Sequence, residues 1–443
     1  MDLARIRAAN LDGRTQNTRY RQSQFHRLQS ALVERIADIQ DAIRTDSGHT
    51  RLEVRAEVVL ALQELRTHYT SMSLHKDLDA EYRIANGRDN SDNARGVGIV
   101  YIVPSTHTLF FSVISALAAA LAAGNCIVLE LPQTTMSLPA LLRQILSDAL
   151  DRDTFALTAQ RPDSSFLNKT LQVVQAGSEE SNGLISPATS RTVAVVDRTA
   201  KVTEAAQSLV AARFALGGRS TYSPDLVLVN EFVMKPFVEA AIKHASKYLA
   251  GENGETRQLP GVPRRSSILD SIQKDRSARI LVSGSNWAVV EIQDRDETLA
   301  ATYAFAAPAS AKYLTQFIDA DISWVNHVPS HMLIGPALPR NTSYNPHTRY
   351  ATLQFQKPRP QLITPSASAF AADTILDGAH ATRADSLWRE ALAPLPSTKQ
   401  RPGFKIGFFE QGIITGGVLT LVSLIATAST LGYYTWVYVR TRG

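Results

Sequence analysis

Two long stretches of the chain hold no Asp, Glu, Lys or Arg, and their internal breaks give them different structures. The first, residues 96–129, is interrupted by Pro104–His107 and by Gly124–Asn125. These breaks predict a strand, VGIVYIV, then a helix from about Leu109 to Ala123, then a strand, CIVLEL. Apolar strands flanking an apolar helix are typical of the buried βαβ unit of a parallel sheet. We therefore predict that this stretch is core and not membrane.

The second stretch, from Gln411 to Val439, has no such breaks and also lacks His. It is longer than the roughly 20 residues that a helix needs to cross the hydrocarbon of a bilayer. Aromatic residues cluster at its carboxyl end, as in the interfacial belt of membrane proteins. A buried core helix is the alternative, but core helices rarely run so far without a polar face. We predict a single transmembrane helix.

Elsewhere the spacing of apolar residues alternates between helical and strand-like. Residues 16–75 show helical spacing. Farther along, TLQVVQAG, RTVAVVD and PDLVLV predict strands, and 136–149 and 201–215 predict helices. This alternation favours an α/β fold with doubly wound parallel sheets and a helical amino-terminal segment. The stretch 152–163 and the segment SEESNGLISPATS are predicted to be connections without regular structure.

The same patterns suggest domain boundaries. Residues rich in Ser, Pro and Ala after about 364 indicate a linker with a short helix near 384–391. The predicted divisions are a cofactor-binding-like domain (1–200), a catalytic-like domain (201–335), a closing strand and return segment (336–365), the linker (366–410) and the membrane anchor (411–439).

Charge and composition narrow the class of protein. The chain has 443 residues, a net charge of +5 and a pI of about 9.2. Its basic residues are scattered and form no aromatic-studded stripe, so we expect no nucleic-acid partner. Basic residues flank the predicted span on both sides, which suits the anionic headgroups of a lipid bilayer.

The single cysteine, Cys126, excludes an intrachain disulfide and fits a body that faces the cytosol. The amino terminus has no apolar core typical of a secretory signal. The sequons at Asn168 and Asn341 are then expected to stay unmodified. We expect the endoplasmic reticulum as the target membrane, with the mitochondrial outer membrane and the peroxisome as alternatives.

Four segments resemble the aldehyde dehydrogenase superfamily in family order. They are VGIVYIVPSTHTLFFSVISALAAALAAGNCIVLELPQ, RFALGGRSTYSPDLVLV, and ATYAFAAPASAKYLTQFIDADISWVNHV, followed by FQKPRPQLI. With the carboxyl-terminal span, the resemblance is nearest to the membrane-anchored fatty aldehyde dehydrogenase branch. It implies NAD or NADP as cofactor, and a homodimer or a heterodimer with a related aldehyde dehydrogenase.

The resemblance also shows where this chain departs from the family's chemistry. Thr221 stands at the position of the nucleophilic cysteine, and His107 at that of the oxyanion-binding asparagine. Glu130 replaces the lysine at the adenine ribose. The segment 186–188 holds no carboxylate where the family has its water-activating glutamate. The family's cofactor-binding positions fall on Pro104, Glu130, Gly177 and Ser178.

Each candidate also has a structural interpretation. Cys126 lies inside a predicted strand, where a cysteine usually serves as a small apolar filler. His107 is interpreted as a turn histidine, with a Thr221–His107 nucleophile pair as the alternative. Gly217–Gly218 is expected to serve backbone geometry and not anion binding. Asp294, Asp296 and Glu297 fit charges at a helix amino terminus, so we expect no metal site.

Two functions remain from the sequence. In the first, the chain is an aldehyde-dehydrogenase-like pseudoenzyme at a membrane, with a scaffold, partner or lipid-aldehyde-binding role. In the second, it is a divergent NAD(P)-dependent oxidoreductase that oxidises long-chain or lipophilic aldehydes to carboxylic acids. The missing cysteine favours the first, because a hydroxyl does not replace a thiolate without an adjacent base.

Overall fold

The computed structural model describes residues 3–177, 183–187, 190–249, 278–283, 287–292, 299–358, 361–363, 371–376, 381–396 and 408–442. The chain divides into two compact units, residues 1–364 and 365–443. We call them the body and the carboxyl-terminal unit. Among the residues singled out in the sequence, Ser178, Asp294, Asp296 and Glu297 lie outside the described ranges.

The body begins with helices, as the apolar spacing predicts. In chain order the helices are α1 (Leu3–Asp12), α2 (Thr18–Glu34), α3 (Ile36–Ser47), α4 (Arg51–Ser71), α5 (Leu74–Tyr82), α6 (Leu109–Ala122), α7 (Ser137–Ala149), α8 (Ser164–Leu167), α9 (Val202–Phe214), α10 (Glu231–Leu249) and α11 (Pro308–Thr315). Helix α4 starts with a capping box in which Thr50 and Glu53 bind each other's backbone amides.

The strands form two parallel sheets and two antiparallel pairs. They are β1 (Ala94–Gly96), β2 (Ile99–Val103), β3 (Cys126–Glu130), β4 (Phe155–Thr158), β5 (Leu171–Gly177), β6 (Gly183–Pro187), β7 (Thr192–Val196), β8 (Leu226–Val229), β9 (Ala278–Ser283), β10 (Trp287–Ile292), β11 (Ala301–Phe305), β12 (Ser323–Val325) and β13 (Gln356–Pro358). The five-stranded sheet has the order β4-β3-β2-β5-β6, and the four-stranded sheet the order β12-β11-β7-β8. Strand β1 pairs with β13, and β9 with β10.

Helices cover both faces of the five-stranded sheet, which confirms the doubly wound α/β fold. Alternate residues of β2 point to opposite sides. Val100 and Ile102 belong to the main core around α6, whereas Ile99 and Tyr101 belong to a second cluster with residues of α1 and α8. The predicted strand–helix–strand unit is therefore confirmed as core.

Two predicted connections are wrong, because they contain strands. Residues 152–163 include β4, which pairs in parallel with β3. The segment SEESNGLISPATS includes β6, which pairs in parallel with β5. Both strands are short and lie at the sheet's edges, where a period-two pattern is weak and pairing with a long neighbour decides the conformation.

The carboxyl-terminal unit contains α12 (Ala371–Leu376), α13 (Ala381–Leu392) and α14 (Phe408–Arg442). Helix α13 corresponds to the short helix predicted near 384–391. Within Glu410–Arg442 of α14, the most apolar stretch of 18 residues has a mean hydropathy of 1.8, and none of that stretch is buried. By length and composition, α14 is a candidate membrane span.

Candidate functional site

Thr221 lies in a loop that is fixed by hydrogen bonds to its own backbone carbonyl and by hydrogen bonds of the next two residues. The Thr192 hydroxyl donates to the Thr221 carbonyl oxygen at 2.8 Å. The Tyr303 hydroxyl donates to the Tyr222 carbonyl at 2.8 Å, and the Ser223 hydroxyl to the carbonyl of Ala212 at 2.8 Å. None of the hydrogen bonds in the described part of the chain uses the Thr221 hydroxyl. The loop is fixed, and none of the described residues acts as a hydrogen-bonded base for its central hydroxyl.

The turn before this loop explains the glycines there. Leu216, Gly217 and Gly218 have φ angles of 51°, 68° and 66°. A Cβ on Gly218 would lie 2.7 Å from the Arg213 carbonyl oxygen. Left-handed backbone at successive positions favours glycine, which supports the geometric interpretation of this pair.

His107 lies in the turn between β2 and α6, where its ring is held in one tautomer. Its Nε2 lies 2.9 Å from the Leu333 carbonyl oxygen, so Nε2 carries the proton and donates it. Nδ1 is buried and has no hydrogen-bond partner among the described residues. Burial lowers the pKa of His107 to about 4, and the hydrogen bond to the Leu333 carbonyl opposes this shift. His107 is thus a neutral, weakly basic side chain at physiological pH, and no described hydrogen bond joins it to Thr221.

A single segment, residues 333–338, connects the His107 turn to the Thr221 loop. Besides the bond from His107 to Leu333, the Gly335 amide donates to the Thr108 hydroxyl at 2.7 Å. The Leu338 amide donates to the Tyr222 hydroxyl at 2.9 Å. Gly335 has φ 88°, and a Cβ there would come within 2.4 Å of the Phe111 ring. This junction was not recognised in the sequence.

Arg349 anchors the same segment from the other side. Its Nη2 donates to the Ile334 carbonyl at 2.7 Å. Its guanidinium carbon lies 5.9 Å from the ring centroids of both Phe111 and Tyr222. A cation held between two aromatic faces is stabilised by their negative quadrupoles. Arg349 therefore positions the segment and the tyrosine that follows Thr221.

Helix α4 supplies three carboxylates to the surrounding loops. Glu53, Glu57 and Glu64 lie on one helix face, because their spacings are close to whole turns. Glu53 accepts from the Leu216 amide at 2.7 Å, and Glu57 from the Phe111 amide at 3.3 Å. Glu64 accepts from the Arg349 amide at 2.6 Å. One helix face thus holds the turn before Thr221, the start of α6 and the segment that carries Arg349.

Two of these carboxyl groups are almost fully buried, and burial sets their protonation. Burial raises the pKa of Glu57 to about 7, and the amides of Phe111 and Phe110 oppose it. Burial also raises the pKa of Glu64 to about 7, and the Arg349 charge opposes it. The Oε2 atoms of Glu57 and Glu64 lack a hydrogen-bond partner among the described residues. These groups are structural acceptors that titrate near neutral pH.

A cavity of about 490 Å³ opens beside this junction. Its wall combines the outer part of α4 with residues around Arg349. Apolar lining comes from Leu60, Phe111, Met332, Leu338 and Pro346, and polar lining includes Glu64, Thr67, His331, His347 and Arg349. The volume falls within the usual range for small-molecule pockets, and the mixed lining suits an amphipathic ligand.

The surroundings of Cys126 do not suit a catalytic nucleophile. It begins β3 within the cluster that packs against α1, and it is fully buried. Burial raises the pKa of its thiol to about 12. A thiol that stays protonated inside a core is inert, which agrees with the apolar-filler interpretation.

Three of the predicted cofactor-binding positions, Pro104, Glu130 and Gly177, lie at the carboxyl ends of parallel strands, where the fold class binds its ligands. Pro104 follows β2 and is half-buried. Glu130 ends β3 and accepts a hydrogen bond from the Tyr101 hydroxyl. Burial raises the pKa of Glu130, and Arg161 opposes this shift. Gly177 ends β5, where a Cβ would lie 2.8 Å from Val174 and 3.2 Å from Ile185.

These residues do not fit a dinucleotide in the way the family resemblance implies. Gly177 allows the close approach of β6, so it has a packing role. Only residues 178–182 separate β5 from β6, whereas a parallel crossover usually takes a dozen or more and commonly a helix. Between β5 and β7 the described residues include no helix amino terminus that would face a pyrophosphate, and Glu130 brings a carboxylate where the family has a lysine. Among the described residues, no group of three or more His, Cys, Asp or Glu side chains fits a metal ion.

Comparisons with known proteins agree with this fold. The family model described as "Aldehyde dehydrogenase family" matches residues 4–163. The 4,4'-diaponeurosporen-aldehyde dehydrogenase of Staphylococcus aureus is 23% identical over 58% of this chain and 62% of its own length. Aldehyde dehydrogenase family 3 member B1 of Rattus norvegicus is 22% identical over 77% of this chain and 73% of its own length. The chain therefore spans less than two thirds of the staphylococcal relative.

Among solved structures, the substrate-bound state of Staphylococcus aureus AldH superposes with a TM-score of 0.62. The superposition covers 87% of this chain and 98% of that one at 14% identity. At this identity the likeness establishes the fold alone.

Proposed function

We propose that the chain is a non-catalytic member of the aldehyde dehydrogenase superfamily, nearest to its fatty aldehyde dehydrogenase branch, and that it binds a lipophilic aldehyde at a membrane. The observation that carries this proposal is the placement of its only thiol. Cys126 is fully buried in β3, while the nucleophile's position holds Thr221.

Aldehyde oxidation in this family begins with attack by a thiolate. Thr221 needs a general base within hydrogen-bonding reach to take that role. The histidine proposed as its partner, His107, donates its Nε2 proton to Leu333 and has a pKa near 4. Because His107 is a weak base and its Nε2 is hydrogen-bonded to Leu333, it gives little driving force for removing the Thr221 hydroxyl proton at neutral pH.

Release of an acid product also needs a carboxylate that activates water. The family position falls on the stretch that contains Ser186, which is fully buried. The carboxylates near the site, Glu53, Glu57 and Glu64, each accept a backbone amide of the loops around it. Their hydrogen bonds support a structural role, so neither half of the oxidation has a dedicated group among the residues that the structure describes.

The cavity beside Arg349 supports binding. It offers an apolar wall for an alkyl chain, and His331 and Arg349 for a carbonyl oxygen. The proposed anchor, α14, would keep the chain at a membrane, which is the phase into which apolar aldehydes partition. A homodimer, or a heterodimer with an active relative, is part of the same proposal, and any nucleotide bound is expected to be NAD or NADP.

The test uses the full chain in detergent and two measurements. The first follows NAD(P)H formation with a long-chain aldehyde and either nucleotide, and no turnover is expected. The second is a thermal melt with the aldehyde alone. A ligand at 100 times its dissociation constant stabilises the folded state by about 2.7 kcal/mol, which raises the melting temperature measurably.

A matched pair of variants on α4 locates the binding. Leu60→Trp fills the cavity wall and is expected to abolish the shift, whereas Leu52→Trp, on the exposed side of the same helix, is expected to retain it. Turnover that Thr221→Ala abolishes would establish the alternative, an oxidoreductase with a substituted nucleophile. A melt that the aldehyde does not move rejects the binding role.

A further inference from the structure

Helix α13 has two sharply different sides. Its sequence, ATRADSLWREAL, places apolar residues in one arc of a helical projection at 3.6 residues per turn. The apolar arc holds Ala384, Leu387, Trp388, Ala391 and Leu392. The remaining arc holds Thr382, Arg383, Asp385, Ser386, Arg389 and Glu390.

The apolar arc is largely open. Trp388 is 62% exposed and Leu392 is 66% exposed. Leu387 and Ala384 are partly buried, and α12 is the described helix that packs against α13 within this unit. A tryptophan exposed to this extent in the middle of an apolar stripe indicates a surface that another apolar phase covers.

The sequence after α13 leads directly to the candidate membrane span. Residues 393–407 separate Leu392 from the start of α14 at Phe408. A chain of that length reaches no farther than about 50 Å even when fully extended. If α14 crosses a bilayer, α13 is therefore confined to the neighbourhood of the membrane surface.

We propose that α13 lies in the plane of the membrane surface, with its Trp388 and Leu392 side in the boundary between headgroups and acyl chains. This inference rests on the proposed membrane anchor. The helix is too short to cross the hydrocarbon, since 12 residues rise about 18 Å and the core is about 30 Å thick. Its two-sided pattern is that of a helix lying on a bilayer.

The charges of α13 indicate how it binds. Its polar arc carries two arginines, one aspartate and one glutamate, so its formal charge is balanced. Attraction to anionic lipid therefore contributes little through the helix itself, and apolar contact carries the interaction. Tryptophan suits this boundary because its ring is apolar and its indole N–H stays near water. Zwitterionic lipid is expected to suffice.

The experiment labels the full chain at single cysteines and reconstitutes it in phosphatidylcholine vesicles. Ala391→Cys places an environment-sensitive fluorophore on the apolar arc, and Ser386→Cys places it on the opposite arc; both positions are exposed. Cys126 is fully buried, and labelling of the unsubstituted chain measures any background. A lipid-borne quencher located about 5–10 Å below the headgroup boundary reports on depth.

The expected result is a blue shift and a loss of most of the emission on quencher addition for the Ala391→Cys label, with neither change for the Ser386→Cys label. When Trp388→Glu is added, the Ala391→Cys label is expected to show neither the blue shift nor the quenching, as the Ser386→Cys label does, while the chain stays in the vesicle. Replacing part of the lipid with an anionic species is expected to leave the contrast unchanged.

Three other outcomes have separate meanings. Equal emission from both labels in a chain that resists alkaline extraction overturns the surface position of α13 and leaves the anchor intact. A contrast that appears only with anionic lipid overturns the apolar mode of binding. A chain that alkali removes from the vesicles contradicts the anchor, and the inference fails with it.

Discussion

Helices α6 and α14 are both apolar, yet one lies inside the body and the other exposes its most apolar stretch. Apart from Leu109, every residue of α6 is buried. In α14 the most apolar stretch of 18 residues has no buried residue. Apolarity alone therefore does not decide where a helix lies; its length and its ends do.

The ends of α6 are built to join other parts of the body. Glu57 accepts the Phe111 amide at its start. At its end, the Asn125 side chain donates to the carbonyls of Ala120 and Phe355, each at 3.1 Å, and accepts the Gly98 amide at 2.9 Å. Helix α14 instead ends in Arg440 and Arg442, which lie over aromatic rings of its own last turns. The first pattern closes a helix into a core, and the second suits a water interface.

Removing α14 should have the largest effect on this comparison. A chain that ends at residue 407 is expected to lose the membrane retention that survives alkaline extraction, because the only described helix long and apolar enough to span is gone and α13 contacts the membrane surface reversibly. Flotation on a density gradient measures retention, and circular dichroism is expected to show an unchanged body. Floating of the truncated chain to the same extent as the full chain contradicts the anchor.

The same substitution in both helices should have opposite consequences. Leu117 in α6 is fully buried, so Leu117→Ala is expected to lower the free energy of unfolding by about 2–5 kcal/mol. Leu421 in α14 is 60% exposed, and Leu421→Ala is expected to leave the body's unfolding midpoint unchanged. Denaturant titration of the body in detergent makes the comparison. Similar losses from both would show that α14 packs as a core helix.

Loss of the carboxylate at the start of α6 should have a smaller effect. Glu57→Ala leaves the buried Phe111 amide without its acceptor, which costs about 1–3 kcal/mol. Glu57→Gln keeps an acceptor oxygen of the same size and serves as the control. Equal destabilisation by both variants at pH 5 would indicate that packing, and not the hydrogen bond, holds this end.

The smallest effect concerns pH. Because burial raises the pKa of Glu57 to about 7 from an ordinary value near 4.5, its protonated form stabilises the fold at low pH. That stability is complete below about pH 4.5 and is lost as pH rises through 7. Glu57→Gln is therefore expected to gain stability relative to the unsubstituted chain between pH 5 and 7, by no more than about 1.4 kcal/mol per pH unit.

Thermal melts of both proteins across that range provide the measurement. The comparison must be between the two proteins, because burial lowers the pKa of His68 and His107 to about 4, which contributes stability of the opposite pH dependence. A difference that stays constant from pH 5 to 7 would show that Glu57 titrates normally.

The sequence by itself determined the division into a core βαβ unit and an exposed apolar helix, since both follow from the length of uncharged runs and their breaks. It also determined that at most one thiol exists in the chain. The resemblance placed Thr221 and His107 at family positions, and those roles remain predictions.

The tertiary structure alone decided how these positions are held. Glu57 meets Phe111, and Glu64 meets Arg349, across separations in sequence that no local pattern encodes. It also revealed that Gly177 makes room for β6. Local spacing determines which face of a helix is apolar, but the partner of a buried polar atom is chosen by three-dimensional packing, because any acceptor brought within hydrogen-bonding distance will serve.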